Sequence, residues 1–118
     1  MDEAIAAIEA RPELRAWLVA GEWKSNFDRT SLARAETYAN ETAIRNLEWI
    51  ELRGTGELIV SADVQGSRTR PYETSLAFEL LGKRWFASSI CTCPVGDECK
   101  HGAALAHLLR KKLAAAKT

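Results

Sequence analysis

Cys91, Cys93, Cys99 and His101 are the residues best suited to chemistry, because all three cysteines of the chain and one of its two histidines fall between positions 91 and 101. Thiolate and imidazole are donors that tetrahedral zinc prefers, and such a site asks only that four of them converge at about 2.0 to 2.3 Å. The spacing predicts convergence. Cys91 and Cys93, two apart on an extended strand end, project to one side, while Pro94 and Gly96 turn the chain so that Cys99 and His101 return at a helix start. A helix amino end also favours thiolate over thiol. Two other readings compete. Isolated cysteines often serve as small buried hydrophobes. Cys91 and Cys93 could also be a redox pair, although an i, i+2 disulfide is strained and the usual redox pair has two intervening residues. Iron–sulfur clusters usually take four cysteines, one more than the chain has. The reading adopted is one Cys3His site for Zn2+.

Two strands and a helix must position these ligands. Tyr72, Thr74, Leu76, Phe78 and Leu80 alternate against Glu73, Ser75, Ala77 and Glu79, and Gly82-Lys83 permits a tight return into a strand from Trp85 to Thr92. From Lys100 the apolar period becomes 3.6, with Ala104, Leu105, Leu108 and Leu109 forming a stripe that can pack on a sheet. Upstream, Leu58, Val60, Ala62 and Val64 share one face of a strand. Another strand through Leu47, Trp49, Ile50 and Leu52 alternates imperfectly, which predicts a bulge before the Gly54-Thr55-Gly56 turn. The amino end is helical: residues 2–10, then a helix opened by Pro12 and closed by Gly21. A third helix over 29–39 is capped by Asp28 and closed by Asn40 in a left-handed turn. The fold class is therefore α+β: amino-terminal helices, an antiparallel sheet of three or four strands, and a ββα unit with a carboxyl-terminal helix. Three segments make one compact domain: 1–26, 27–83 and 84–118. The Ala-Ala-Ala-Lys-Thr end is expected to fray.

Composition bounds the function. A chain of 118 residues with 47% apolar and 27% charged residues can build one modest core and is not a disordered tail. No stretch approaches the roughly 18 apolar residues of a membrane span, and three crowded cysteines fit a secreted disulfide framework poorly, so a reducing, cytoplasmic setting is expected. The zero net charge conceals a split. Residues 1–60 carry 7 Lys/Arg against 11 Asp/Glu, and residues 61–118 carry 9 against 5.

The C-x-C, spacer, C-x-H order of Cys91, Cys93, Cys99 and His101 resembles the SWIM zinc finger family. The resemblance extends to Pro94, Lys100, Ala103, Ala104 and Leu105, and is strongest over residues 84–109. More weakly, residues 27–83 look like the region preceding the finger in bacterial members, with a helix near Tyr38 and the Arg70-Pro71-Tyr72 turn; residues 1–26 match nothing of the kind. SWIM fingers occur beside helicases, transposases, kinases and recombination factors. The resemblance therefore implies binding to DNA or to a DNA-handling protein, with the fold held by Zn2+. The chain has no G-x-x-x-x-G-K-[ST] phosphate loop, so it resembles the finger and its flank without a motor.

Other residues read more plainly. His107 is expected on the surface. Trp17, Trp23, Trp49 and Trp85 are core material before they are base-stacking platforms, and Glu48 and Glu51 look like a solvated strand edge. Four ligands would close a zinc shell that catalysis needs open, and the H-x-E, P-C-x-x-C order of zinc deaminases is missing, so no enzyme is expected and no small-molecule substrate is evident. Candidate phosphate contacts are Arg68, Arg70, Lys83, Arg84 and Lys100, whereas Arg110, Lys111 and Lys112 suit a helix carboxyl end. The alternative partner reading is a protein-only adaptor or regulator that uses the acidic amino-terminal half.

Overall fold

A computed structural model describes residues 2–52, 54–66, 69–94 and 99–115. It places two helices first, α1 (Asp2–Glu9) and α2 (Pro12–Ala20), then a 3-10 turn (Glu22–Asn26), α3 (Arg29–Ala35) and a second 3-10 turn (Glu36–Tyr38). Four strands follow, β1 (Ile44–Glu51), β2 (Leu58–Val64), β3 (Tyr72–Leu81) and β4 (Arg84–Cys91), and then the long helix α4 (Lys100–Ala115). The strands form one antiparallel meander in the order β1-β2-β3-β4. This is the expected α+β class with the larger of the two strand counts.

The alternation places itself. Leu58, Val60, Ala62 and Val64 of β2 are buried and sit opposite Phe78, Leu76, Thr74 and Tyr72 of β3, so one sheet face is apolar. Gly82 enters the β3–β4 hairpin with φ 66°, a conformation that side chains with a Cβ resist. In β1 the register shifts between Arg45 and Glu48, and Asn46 takes φ 57° while its amide donates to Asp63 at 2.8 Å. That is the expected bulge, at a residue type that tolerates the left-handed region.

The third helix ends sooner than the expected 29–39. Asp28 caps it through Ser31 N at 2.7 Å, but its last turn tightens into the 3-10 segment. Asn40 is not left-handed, since Asn46 is the one non-glycine with positive φ among the described residues. Instead its side-chain carbonyl accepts from Thr42 N and Ala43 N at 3.0 and 2.9 Å, and so caps the entry to β1.

A second correction concerns α4. The expected stripe of Ala104, Leu105, Leu108 and Leu109 is buried, but so are His101, Gly102, Ala103, Ala106, His107 and Leu113. The helix runs through the middle of the molecule, with the sheet on one side and α1, α2 and α3 on the other, so an amphipathic reading understates its burial. Its small residues allow that enclosure. Residues of all three sequence segments, from Ile8 and Leu14 to Val60, Phe78 and Leu109, share one hydrophobic core.

The carboxyl-terminal cations act as tethers. Arg110 Nε donates to Val19 O at 2.9 Å, Lys111 Nζ to Ala39 O at 3.2 Å, and Lys112 pairs with Glu41 at 2.9 Å. The last residues of the Ala-Ala-Ala-Lys-Thr end, 116–118, lie outside the described residues.

Candidate metal centre

The cluster forms where β4 runs out and α4 begins. Cys91 is the last residue of β4 and faces inward opposite Thr74. Beyond it the strand stays extended because Thr92 N donates to Glu73 O at 3.1 Å and Glu73 N donates to Thr92 Oγ1 at 3.0 Å. With Thr92 clamped outward, Cys91 and Cys93 turn to the same side. Cys99 occupies the cap of α4, its carbonyl accepting from Ala103 N at 3.1 Å, and His101 follows in the first turn. The turn expected from Pro94 and Gly96 lies mostly outside the described residues, since 95–98 are not among them.

The four side chains converge. Their donor atoms all lie within 4.8 Å of one another, and all four residues are buried. His101 Nδ1 is 3.6 Å from Cys91 Sγ and 3.7 Å from Cys99 Sγ. A tetrahedral ion with S and N ligands at the usual lengths would set that S···N edge at about 3.6 Å, so the donor set fits a metal ion. Nδ1 is therefore the nitrogen facing the cavity. Nε2 points away, buried and without a hydrogen-bond partner, while the ring is held between Tyr72 at 4.6 Å and Tyr38 at 5.3 Å.

The surroundings favour negative sulfur. Hydrogen bonds from Cys99 first, then from His101 and Thr74, lower the Cys91 thiol to about 3 against the opposing effect of burial. The same Cys91–Cys99 bond, together with burial, pushes Cys99 up, although the Gly102 N–H donates to its sulfur. The protein itself thus favours the thiolate at Cys91, and a dication would supply the charge that Cys99 needs. All three cysteines are free thiols.

Two glycines make room. A Cβ on Gly102 would overlap Ser89 Oγ and Cβ and meet Phe27 at 3.4 Å, so α4 crosses β4 closer than any other residue allows. A Cβ on Gly66 would come within 2.6 Å of the Tyr72 ring and 3.1 Å of His101 Nε2. These supports were not singled out from sequence, nor were Thr74 and Ser89. A signal existed for both: each is a hydroxyl residue at an inward position of a strand whose inward neighbours are apolar.

His107 is a correction. Expected on the surface, it is 6% exposed and meets Trp23 edge-on at 4.9 Å, because α4 has no free face at that level. Burial lowers its pKa. Trp23 is fully buried with its indole N–H donating to Leu18 O at 3.2 Å, Trp17 meets Phe78 edge-on, and Trp49 is 37% exposed.

The candidate phosphate contacts separate. Lys100 lies between Cys99 and His101, with its Nζ 5.3 Å from the Tyr38 ring, and Arg70 is an exposed residue just before β3. A cleft of about 420 Å³ opens onto the cluster itself, lined by Cys93, Cys99 and His101 together with Asp28, Arg34 and Lys100. Lys83 and Arg84 sit at the far end of the β3–β4 hairpin, seven residues along β4 from Cys91 or roughly 23 Å at strand rise. Arg68 lies outside the described residues. Among the described residues, no helix is long and apolar enough to cross a membrane. No protein-family model, curated protein or solved structure matches the chain.

Proposed function

We propose that Cys91, Cys93, Cys99 and His101 hold one structural Zn2+ and that the chain is a zinc-stabilised, non-catalytic interaction module of the SWIM kind, whose ligand is DNA. The observation that carries the first half is the convergence of four buried donors within 4.8 Å of one another, with two sulfur-to-imidazole approaches at 3.6 and 3.7 Å. Four protein ligands leave no open position for substrate, and they join the sheet to α4 at its first turn. The ion would supply charge neutralisation and a cross-link. The second half is supported by the two cations, Arg34 and Lys100, among the residues that line the cleft at the cluster, with the carboxylate of Asp28 opposing them.

The metal is tested by elemental analysis of the purified chain, expected to give one zinc per chain, and by chelation, which should unfold at least α4. DNA binding is tested with duplex and single strands at two salt concentrations. Replacing Arg34 and Lys100 by Ala should weaken binding to all sequences alike and flatten the log-log salt slope by about 2. Replacing Lys83 and Arg84, at the other end of the hairpin, should leave the slope unchanged. Absence of DNA binding at low salt would favour the protein-only adaptor, which the exposed carboxylates Glu3, Glu9, Glu13 and Glu22 of the amino-terminal segment support.

A further inference from the structure

A second cavity opens where α3 packs on α4, about 9 Å further along α4 than the metal cluster. Its volume is about 320 Å³. It is lined by Lys24 of the first 3-10 turn, Arg29, Leu32 and Ala33 of α3, Glu36 of the second 3-10 turn and His107 of α4.

His107 is the unusual member of that lining. It is 6% exposed and its ring meets Trp23 edge-on, yet neither imidazole nitrogen makes a hydrogen bond to another described residue. Buried polar groups are as a rule paired, and the cavity that His107 lines is where a partner can reach it. Lys24 flanks the same indole, its Nζ 6.0 Å from the Trp23 ring. Among the described residues neither Lys24 nor Arg29 makes an ion pair, the pairs present there being Arg11–Glu51 and Lys112–Glu41.

The acids nearby are accounted for. Asp28 accepts from Ser31 N and lines the cleft at the metal cluster, while Glu22 lines a groove against Trp17 and Lys83. Glu36 is the acid in this cavity, and it too makes no ion pair among the described residues. Of the charges that act on His107, those of Lys24, Lys111 and Arg110 oppose that of Glu36. Lys111 and Arg110 are held by the carbonyls of Ala39 and Val19, so they add field without reaching a ligand.

A guanidinium, an ammonium and an imidazole, brought from three elements, together offer more donors than the two oxygens of a carboxylate can accept; a tetrahedral oxyanion has oxygens for all three. We infer that this cavity is an anion site that takes a phosphate group, bound by Arg29, Lys24 and His107. None of the four metal ligands lines it, and neither Arg34 nor Lys100 does, so the site stands independently of the metal and of the cleft proposed for DNA.

The test follows the imidazole NMR signals of the full metal-loaded chain as inorganic phosphate is added to about 50 mM, with ionic strength held constant by chloride. His107 is expected to shift along a saturable curve with a Kd of about 1 to 10 mM, while the His101 signals do not move. Lys24→Ala and Arg29→Ala, both at exposed positions, should each weaken binding about tenfold, and Glu36→Gln should tighten it about threefold. Absence of a saturable His107 shift would overturn the proposal, as would a shift that chloride alone reproduces. Binding indifferent to both cation variants would place the anion elsewhere and overturn it; so would a Glu36→Gln variant that binds more weakly. A short DNA duplex and glycerol phosphate then compete with inorganic phosphate. Displacement by the duplex assigns the phosphate group to a nucleic-acid backbone, and displacement by glycerol phosphate alone assigns it to a small phosphate ester. Displacement by neither would reduce the site to an adventitious ion only and overturn it.

Discussion

Gly102→Ala sets two well-known effects against each other. In an ordinary helix the change gains about 1 kcal/mol of propensity. Here the new methyl would sit 2.5 Å from Ser89 Cβ, where ordinary contact needs more than 3.4 Å, so α4 and β4 must part by about 1 Å. Ser89 Oγ can rotate away; its Cβ cannot. Overpacking of this kind costs about 1 to 3 kcal/mol, which leaves a net loss of up to about 2 kcal/mol after the helix gain. The loss has a specific address. Cys91 follows Ser89 on β4 by two residues, and Cys99 and His101 precede Gly102 on α4, so parting the two elements stretches the 3.6 Å approach of Cys91 Sγ to His101 Nδ1. Two kcal/mol shed there is about a 30-fold weaker metal affinity, readable by competition with a chromophoric chelator, together with a lower melting temperature by circular dichroism. Combining Gly102→Ala with Ser89→Gly moves the methyl across the contact and should recover most of both losses. A Gly102→Ala variant that melts higher and binds metal as tightly as wild type would refute the close approach.

The two histidines should separate cleanly: His101→Ala loses the metal, and the cobalt-substituted protein loses its tetrahedral Cys3His spectrum, whereas His107→Ala keeps both and melts lower because it leaves a cavity against Trp23. Acid should act on His107 independently. Burial, with Lys24, Lys111 and Arg110 nearby and Glu36 opposing, lowers its folded pKa below the ordinary 6.5. The unfolded chain therefore takes up a proton first, and this contribution to stability is complete above about 6.5 and is lost as pH falls from there toward the lowered value. The stability difference between wild type and His107→Gln should be flat above that point and shift in favour of the variant below it; a difference constant through the acid limb, measured by urea unfolding, would remove burial as the cause.

Much of this was legible where local pattern and burial agree. The inward residues of β2 alternate without exception and those of β3 do so from Tyr72 to Phe78, with the expected inward Leu80 instead 41% exposed at the hairpin end, and the imperfect alternation of Leu47, Trp49, Ile50 and Leu52 announced the bulge. The convergence of Cys91, Cys93, Cys99 and His101 was legible because ligand chemistry concentrates in few residue types, and the rarity of cysteine and histidine here made their proximity informative. What failed to show was depth. Nothing in the local sequence of α4 says that two layers enclose it, because burial on a second side is decided by helices some 90 residues away, where Arg110 meets Val19 and Arg15 meets Leu113 O. His107 was misplaced for that reason. The close approach of Gly102 was hidden similarly, since a glycine in a helix announces a weak position until its neighbour across the gap is known.

That enclosed helix also dictates a sequence of events. Helix initiation is the unfavourable step, fixing several residues for a single hydrogen bond, and the meander can pair locally long before α4 is needed. Leu14, Leu18, Val60 and Phe78 share their core with Leu105 and Leu109 of α4, so their cover is complete only once that helix is in place. Cys99 lies at its cap and His101 in its first turn, while Cys91 ends β4 and Cys93 lies just beyond it. An ion captured by the strand pair first, and closed by the helix pair second, would seed that turn at the spot from which the rest can propagate.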